Sequence, residues 1–466
     1  MSAWWRGIGW DLRLLHRART APVIVLTILL LGGIAAWNGH AAAQRWHSDN
    51  DTARLQAQRQ RDELAAKIER GQESVAPYAA KGLVLLPVAP LVDVASGRSD
   101  LDPRAAEATT FGQAHLLFRD YQIGSPIALA LGRFDLAFVV QVVLPLFVIV
   151  LGYGVGAGRE DTLSRMLAVQ GASVRRILFT RLVARALLIG MPVALVLAAA
   201  AAASWSIADG SGQRGIRLLI AVALIGGYGA FWWALVGWTA SFRWRESRML
   251  ATLLTCWIGL VLVVPALVGA VARQIHASPS RFALIAQARV AEIAATRRTE
   301  ALLGEYTHDH PDLQGRGQDL PAWAKSVFVV ARAVDDAVAP LMRRFDDALQ
   351  RQQEAVSQWQ YASPALALHQ GLAAVAGTDE RRQLDFRQAA QSYFASFRER
   401  TGQLMLSGQP LMVAQLDSLP VFRHVERPPS ALVRDAAGPL AFLWGVAVML
   451  LAWTFARSAR EEPANE

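Results

Sequence analysis

The stretches LLIAVALIGGYGAFWWALVGWTA (218–240) and MLATLLTCWIGLVLVVPALVGAVA (249–272) flank a short polar piece, SFRWRESR (241–248), and neither apolar run carries a charged residue. At about 1.5 Å of rise per residue, each run makes a helix of roughly 35 Å, enough to cross a hydrocarbon core of about 30 Å. Only helices and closed barrels pair every backbone N–H and C=O internally within lipid, and continuous apolarity at this length selects the helix. Four more segments pass the same test: 21–37, 136–155, 183–206 and 439–455. None of the six contains Lys or Glu, and the one Arg is Arg185, in the first turn of the third, where it is expected to snorkel to the interface. The fold class that follows is an all-α membrane protein of six transmembrane helices. A proton- or sodium-driven carrier would hold an ionisable relay near mid-span, so that class of transporter is disfavoured.

Across 466 residues, 53% are hydrophobic and 18% charged, with a mean hydropathy of +0.26, which suits a soluble protein poorly. The net charge of +9 and the 15 Trp would fit a nucleic-acid binder if the charge sat on one folded surface. The charge is distributed otherwise. With the N-terminus in the cytoplasm, the short inner pieces 1–20, 156–182, 242–248 and 457–466 hold fourteen Arg against seven acids. The long loops 38–132 and 273–433 are balanced, at ten basic against eleven acidic residues and eighteen against seventeen. The excess therefore marks orientation, with both termini cytoplasmic, and no nucleic-acid partner is expected. The lone Cys256 excludes an internal disulfide and the usual zinc and iron–sulfur ligand sets.

Before the first span, MSAWWRGIGWDLRLLHRART (1–20) places Trp4, Trp5, Ile8, Leu12 and Leu15 at helical spacing with Arg6, Arg13 and Arg17 elsewhere, the pattern of an interfacial helix. The apolar run that follows is long for a signal-peptide core, so cleavage is disfavoured even though Ala41, Ala42 and Ala43 come after it.

The two long loops are expected to form one mainly helical periplasmic domain. In 38–132, ARLQAQRQRDELAAKIERG (53–71) reads as a helix ended by Gly71, and the Pro- and Gly-bearing LVLLPVAPLVDVASGRSDLDP (83–103) as irregular. In 273–433, helices are expected over 282–306, after Asp319-Leu320-Pro321 with a bend near Pro340, and over 379–403. His308, Asp309, His310 and Asp312 could ligate a metal, but a solvated turn before Pro311 explains them more simply, so no metal is expected. Ser363 is expected to cap a helix rather than act as a nucleophile, no base being evident. Trp323, Trp359, Tyr361, Tyr393 and Phe394 fit core packing better than a substrate groove.

The stretch GYGVGAGREDTLSRMLAVQGASVRRILFTRLVARALL (152–188) joins the second and third spans. It resembles the signature region of type 2 ABC exporter permeases, in which a span ends at a Glu, a Gly-Thr-Leu-like turn opens a short amphipathic helix, and basic residues lead into the next span. Glu160, Thr162, Leu163, Leu167, Ser173, Arg175 and Arg181 occupy the matching positions, while Asp161 stands where the family often has Gly, and Gly171 where it often has Pro. The phrase YASPALALHQGLAAVAGTD (361–379) looks like the branch of that family with enlarged outer segments.

What the resemblance implies is an inner-membrane permease subunit that pairs with a second permease, identical or similar, and is driven by a separate ABC ATPase dimer. The sequence itself agrees on one point: it has no GxxxxGK[ST] phosphate loop, so ATP and Mg are expected on that partner and no cofactor on this chain. A short helix over 160–169, with Leu163, Met166 and Leu167 on one face, is suited to docking into a groove on the ATPase. The candidate coupling residues are Glu160, Asp161, Thr162, Leu163, Arg165, Met166 and Leu167.

Overall fold

The computed structural model describes residues 3–17, 19–70, 75–97, 103–114, 134–155, 174–203, 213–242, 244–313 and 320–460. In chain order the helices among them are α1 (Ala3–Arg17), α2 (Thr20–Glu69), α3 (Leu136–Gly152), α4 (Val174–Ala203), α5 (Arg214–Ala240), α6 (Glu246–Ile275) and α7 (Arg281–Arg297). They continue with α8 (Thr299–Asp309), α9 (Ala322–Gln358), α10 (Pro364–Ala376), α11 (Glu380–Leu406), α12 (Val413–Asp417) and α13 (Pro429–Arg460). The described sheet is a single antiparallel pair, β1 (Lys81–Leu85) and β2 (Ala105–Thr109), in register Lys81 to Thr109 and Leu85 to Ala105.

Five helices, α2, α4, α5, α6 and α13, are long and apolar enough to cross a membrane, while α3 and α10 are apolar but shorter. The chain is thus all-α, with membrane-compatible helices gathered in one bundle. Its most extensive pairing is α5 against α13. Gly227 permits that approach, because a Cβ there would lie 2.8 Å from the Trp444 indole nitrogen, which donates to Ala223 O at 3.0 Å. Ile149, Leu224, Tyr228, Trp232 and Leu443 are fully buried between α3, α5 and α13.

The first span and the helix expected at 53–71 are one continuous helix of 50 residues, about 75 Å long. The polar stretch between them holds no proline, and Ala41, Ala42 and Ala43 favour continuation. Its buried positions, from Ala21, Ile24 and Ile28 through Gly32, Ala35 and Gly39 to Trp46 and Asn50, recur every three or four residues and leave one stripe facing the rest of the molecule.

The polar helices form the second part of the fold. The run at 282–306 is two helices divided at Arg298, whose backbone is non-helical (φ −113°, ψ 18°). α9 passes through Pro340 without ending, and α11 begins after Asp379. Phe386, Phe394 and Phe397 are buried in two clusters with residues of α2, β1 and β2, and Phe328 in a third with Tyr306, Leu313 and Met405, each such ring worth about 1.5–3 kcal/mol of transfer free energy. Arg398 and Asp335 pair inside this packing, and the Asp335 carboxylate also accepts the Ala114 N–H at 2.9 Å.

Candidate functional site

All seven coupling residues expected from the sequence, Glu160, Asp161, Thr162, Leu163, Arg165, Met166 and Leu167, lie outside the described residues. The helices that bracket them are described. α1 lies along α4, close enough that a Cβ on Gly7 would sit 3.4 Å from Thr180. Arg185 does not snorkel: it is 3% exposed, with Nε 3.5 Å from the carboxylate of Asp11 in α1 and Nη1 donating to Leu151 O at 2.5 Å. One turn earlier Arg181 donates to Val155 O at 3.5 Å. Two cations of α4 thus cover carbonyls at the C-terminal end of α3, where the helix dipole is negative. A buried guanidinium cannot shed its charge, so it needs the Asp11 carboxylate, and this demand ties α1, α3 and α4 together.

A second assembly surrounds α10. Although it comes from the long polar loop, Ala365, Leu368, Leu372 and Val375 belong to the same buried cluster as the apolar bundle. Ser363 caps the helix as expected, accepting from Ala365 N at 3.1 Å and Leu366 N at 3.5 Å. Its hydroxyl also donates to Leu260 O, within a π-helical turn of α6 at Ile258–Val263. A second π turn interrupts α3 at Val139–Val143, where Gln141 O accepts from Tyr228 Oη at 2.7 Å and Val142 O from Trp257 Nε1 at 3.1 Å. A π turn widens the helix and redirects its carbonyls, and in an apolar interior each needs a donor from a neighbour. At the far end of α10, Arg217 Nη1 donates to Val375 O at 2.7 Å, Arg382 Nη1 to Gly377 O at 3.2 Å and Leu91 N to Ala376 O at 3.2 Å. α10 therefore runs beside α5 and α13 from the middle of α6 to the start of α5, about 20 Å.

The mouth of this assembly is a set of charges. Arg214 in the first turn of α5 lies 3.3 Å from Asp93, both largely buried. Arg382 pairs with Glu426 and reaches Pro87 O at 3.0 Å, and Arg427 meets Asp385 at 2.7 Å, Asp379 at 3.5 Å and Asp435 at 3.8 Å. Burial works against the Glu426 carboxylate, yet Arg382, with His424 and Arg217, holds its pKa below the ordinary value. Burial raises the pKa of Asp379 in spite of Arg427, and burial pushes the His424 imidazole below its ordinary 6.5 in spite of Glu426 at 3.7 Å.

His424 makes this region sensitive to acid. Its folded-state pKa lies below the unfolded value, so the unfolded chain takes up the proton first, and the stability tied to the neutral ring is intact above about pH 6.5 and lost as pH falls below it. His424→Gln is expected to leave the thermal midpoint unchanged at pH 8 and to flatten its fall below about pH 6.5. Parallel midpoint curves for the two proteins would show that His424 plays no such part.

Other residues singled out in the sequence take less concentrated places. His310 stacks on Tyr306 at 4.3 Å, its Nδ1 2.9 Å from Tyr306 O and Nε2 3.4 Å from Glu399. Among the described residues no group of three His, Cys, Asp or Glu could hold a metal. Phe394 is core and Tyr393 partly buried beside it, whereas Trp323, Trp359 and Tyr361 are exposed. Sequence reading passed over Asp93, Arg214, Arg217, Arg382 and His424. The available signal was two arginines at the threshold of an apolar helix, three apart.

Residues 281–425, less than a third of the chain, match a family described as a domain of unknown function (DUF3526). That segment contains α10 and, of the charges around it, Asp379, Arg382, Asp385 and His424. No curated protein and no solved structure matches the chain.

Proposed function

We propose that this chain is the membrane-spanning permease subunit of an ATP-driven ABC exporter in the bacterial inner membrane. In this reading α2, α3, α4, α5, α6 and α13 are six spans, both termini are cytoplasmic, and the two long loops fold on the periplasmic side. A separate ATPase dimer binds ATP and Mg and docks on the 156–182 loop through Glu160 and its neighbours. A second permease subunit, identical or similar, covers α6, whose apolar stretch is only 11% buried within one chain.

The observation that carries the reading is how the helices on either side of the loop that resembles the exporter signature are held together. Arg185 of α4 donates to Leu151 O near the end of α3 and lies 3.5 Å from Asp11 of α1, and Arg181 donates to Val155 O just beyond α3. A displacement of this loop is delivered to three helices together, because the contacts joining them are buried and discrete. The placement of α10 favours a second reading, in which the subunit moves its periplasmic domain without translocating substrate: a helix of that domain is wedged between α5, α6 and α13.

Purification of the tagged chain from native membranes is expected to bring down an ABC ATPase. In the reconstituted complex, Glu160→Arg is expected to lower ATPase activity about tenfold, a coupling loss of ~1.4 kcal/mol. If no ATPase accompanies the chain and the substitution changes nothing, the coupling reading is wrong. An open passage between two protomers would select export, and a dry interface the alternative.

A further inference from the structure

Between Pro420 and the pair Pro428-Pro429 the chain reads VFRHVER (421–427), a run that favours strand and is closed at both ends by prolines. It lies along α11 in the opposite direction. Phe422 packs on the ring of Tyr393 at 5.5 Å, His424 on that of Phe386 at 6.1 Å, and Glu426 pairs with Arg382. These contacts follow α11 for about 16 Å while the segment advances by about 13 Å of extended chain, so its backbone is drawn out as a strand. Burial alternates accordingly. Phe422, His424 and Glu426 turn toward the helix, whereas Val421 is 68% exposed, Val425 84%, and Arg423 between them is exposed with no ion-pair partner among the described residues.

This strand has no neighbour of its own kind. β1 pairs with β2, and among the described residues no backbone N–H or C=O of 421–427 makes a hydrogen bond. The nearest anchored group is Pro420 O, which accepts from Tyr393 Oη at 3.1 Å. A row of strand donors and acceptors is met all at once only by another extended chain, because a helix spends its own groups internally. Arg423 decides which chain. A two-fold axis pairs identical strands antiparallel, and the register that matches Val421 with Val425 of a second copy sets the two Arg423 side chains against each other, where like charges destabilise. A strand with an acidic residue between two apolar ones meets all three outward side chains.

We propose that residues 421–427 are the docking edge for an extended segment of another protein, which adds beside them as a strand and carries an acidic residue between two apolar ones. Main-chain hydrogen bonds supply the affinity, and Val421, Arg423 and Val425 supply the selection. Strand addition does not rest on coupling to an ATPase, so this inference and the permease reading stand or fall separately.

The probes are the blocked peptide Thr-Val-Thr-Glu-Thr-Val-Thr and its counterpart with Lys in place of Glu, each titrated against the detergent-solubilised full chain while amide exchange in 421–427 is followed residue by residue. The expected result is exchange slowed about tenfold or more at alternate amides of the segment, and binding of the acidic peptide about tenfold tighter than that of the basic one. Arg423→Glu is expected to reverse this preference, and Arg423→Gln to remove it should the charge reversal fail to fold. Equal binding of the two peptides, or exchange that neither alters, would overturn the proposal. Protection of the same amides in a dimer of the chain without peptide would overturn it in favour of a second copy.

Discussion

Gly39→Ala is expected to cost about 3 kcal/mol or more and to reduce the yield of folded protein sharply. The added Cβ would stand 2.0 Å from Asp93 O and 2.9 Å from Asp93 C, so the obstacle is backbone and no rotamer change relieves it. The displaced turn is a junction for the whole bundle. Asp93 pairs with Arg214, Val94 O accepts the Ala137 N–H at 3.0 Å, and Ser96 gives its N–H and hydroxyl to Asp135, which caps α3 through Phe138 N at 2.8 Å. Moving it by the required ångström unseats the starts of α3 and α5 together. Gly33→Ala in the same helix is the control: nothing lies within 4 Å of its Cβ, and replacing an open helical glycine stabilises by roughly 0.5–1 kcal/mol. Thermal midpoints in one detergent should separate the two variants on opposite sides of the parent protein. A Gly39→Ala protein as stable as Gly33→Ala would mean that α2 does not cross the turn at this distance.

Arg382→Ala is expected to cost about 3–5 kcal/mol, the scale for leaving one partner of a buried ion pair behind. Arg382 is 5% exposed and serves three acceptors, the Glu426 carboxylate, Gly377 O at the end of α10 and Pro87 O in the irregular segment. Its removal leaves the half-buried Glu426 carboxylate and two carbonyls without this donor. Lysine recovers little, since one ammonium cannot span three acceptors that the planar fork meets at once. A double-mutant cycle with Glu426→Gln separates the ion pair from the carbonyl contacts: the coupling energy is expected near half of the total loss. If Arg382→Ala melts within 1 °C of the parent, the collar around α10 is not held by this residue.

The apolar runs and the cap at Ser363 were legible because continuous hydrophobicity and a Ser-Pro helix start are local signals. The union of span and polar helix in α2 was obscured by the change of polarity at 38, which alters what surrounds a helix but not whether its backbone continues. Arg185 reads as a snorkelling residue, since a sequence shows a lone charge at a span end without showing Asp11, more than 170 positions away, that receives it. α10 was harder still. Its thirteen residues are too short for a span, and nothing in a one-dimensional pattern distinguishes a buried helix of a polar domain from one wedged among the apolar helices.

That the protein is built of helices, which of them are apolar enough for a membrane, and where its excess charge lies are all legible in the chain, because these depend on composition within a window of about 20 residues. Which charges meet depends on how the helices pack. The pairing of Asp11 with Arg185 and of Asp93 with Arg214, and the arginines around α10, all join residues distant in the chain. Burial makes such contacts energetically decisive: a charge or carbonyl removed from water is tolerated only where the fold delivers its partner.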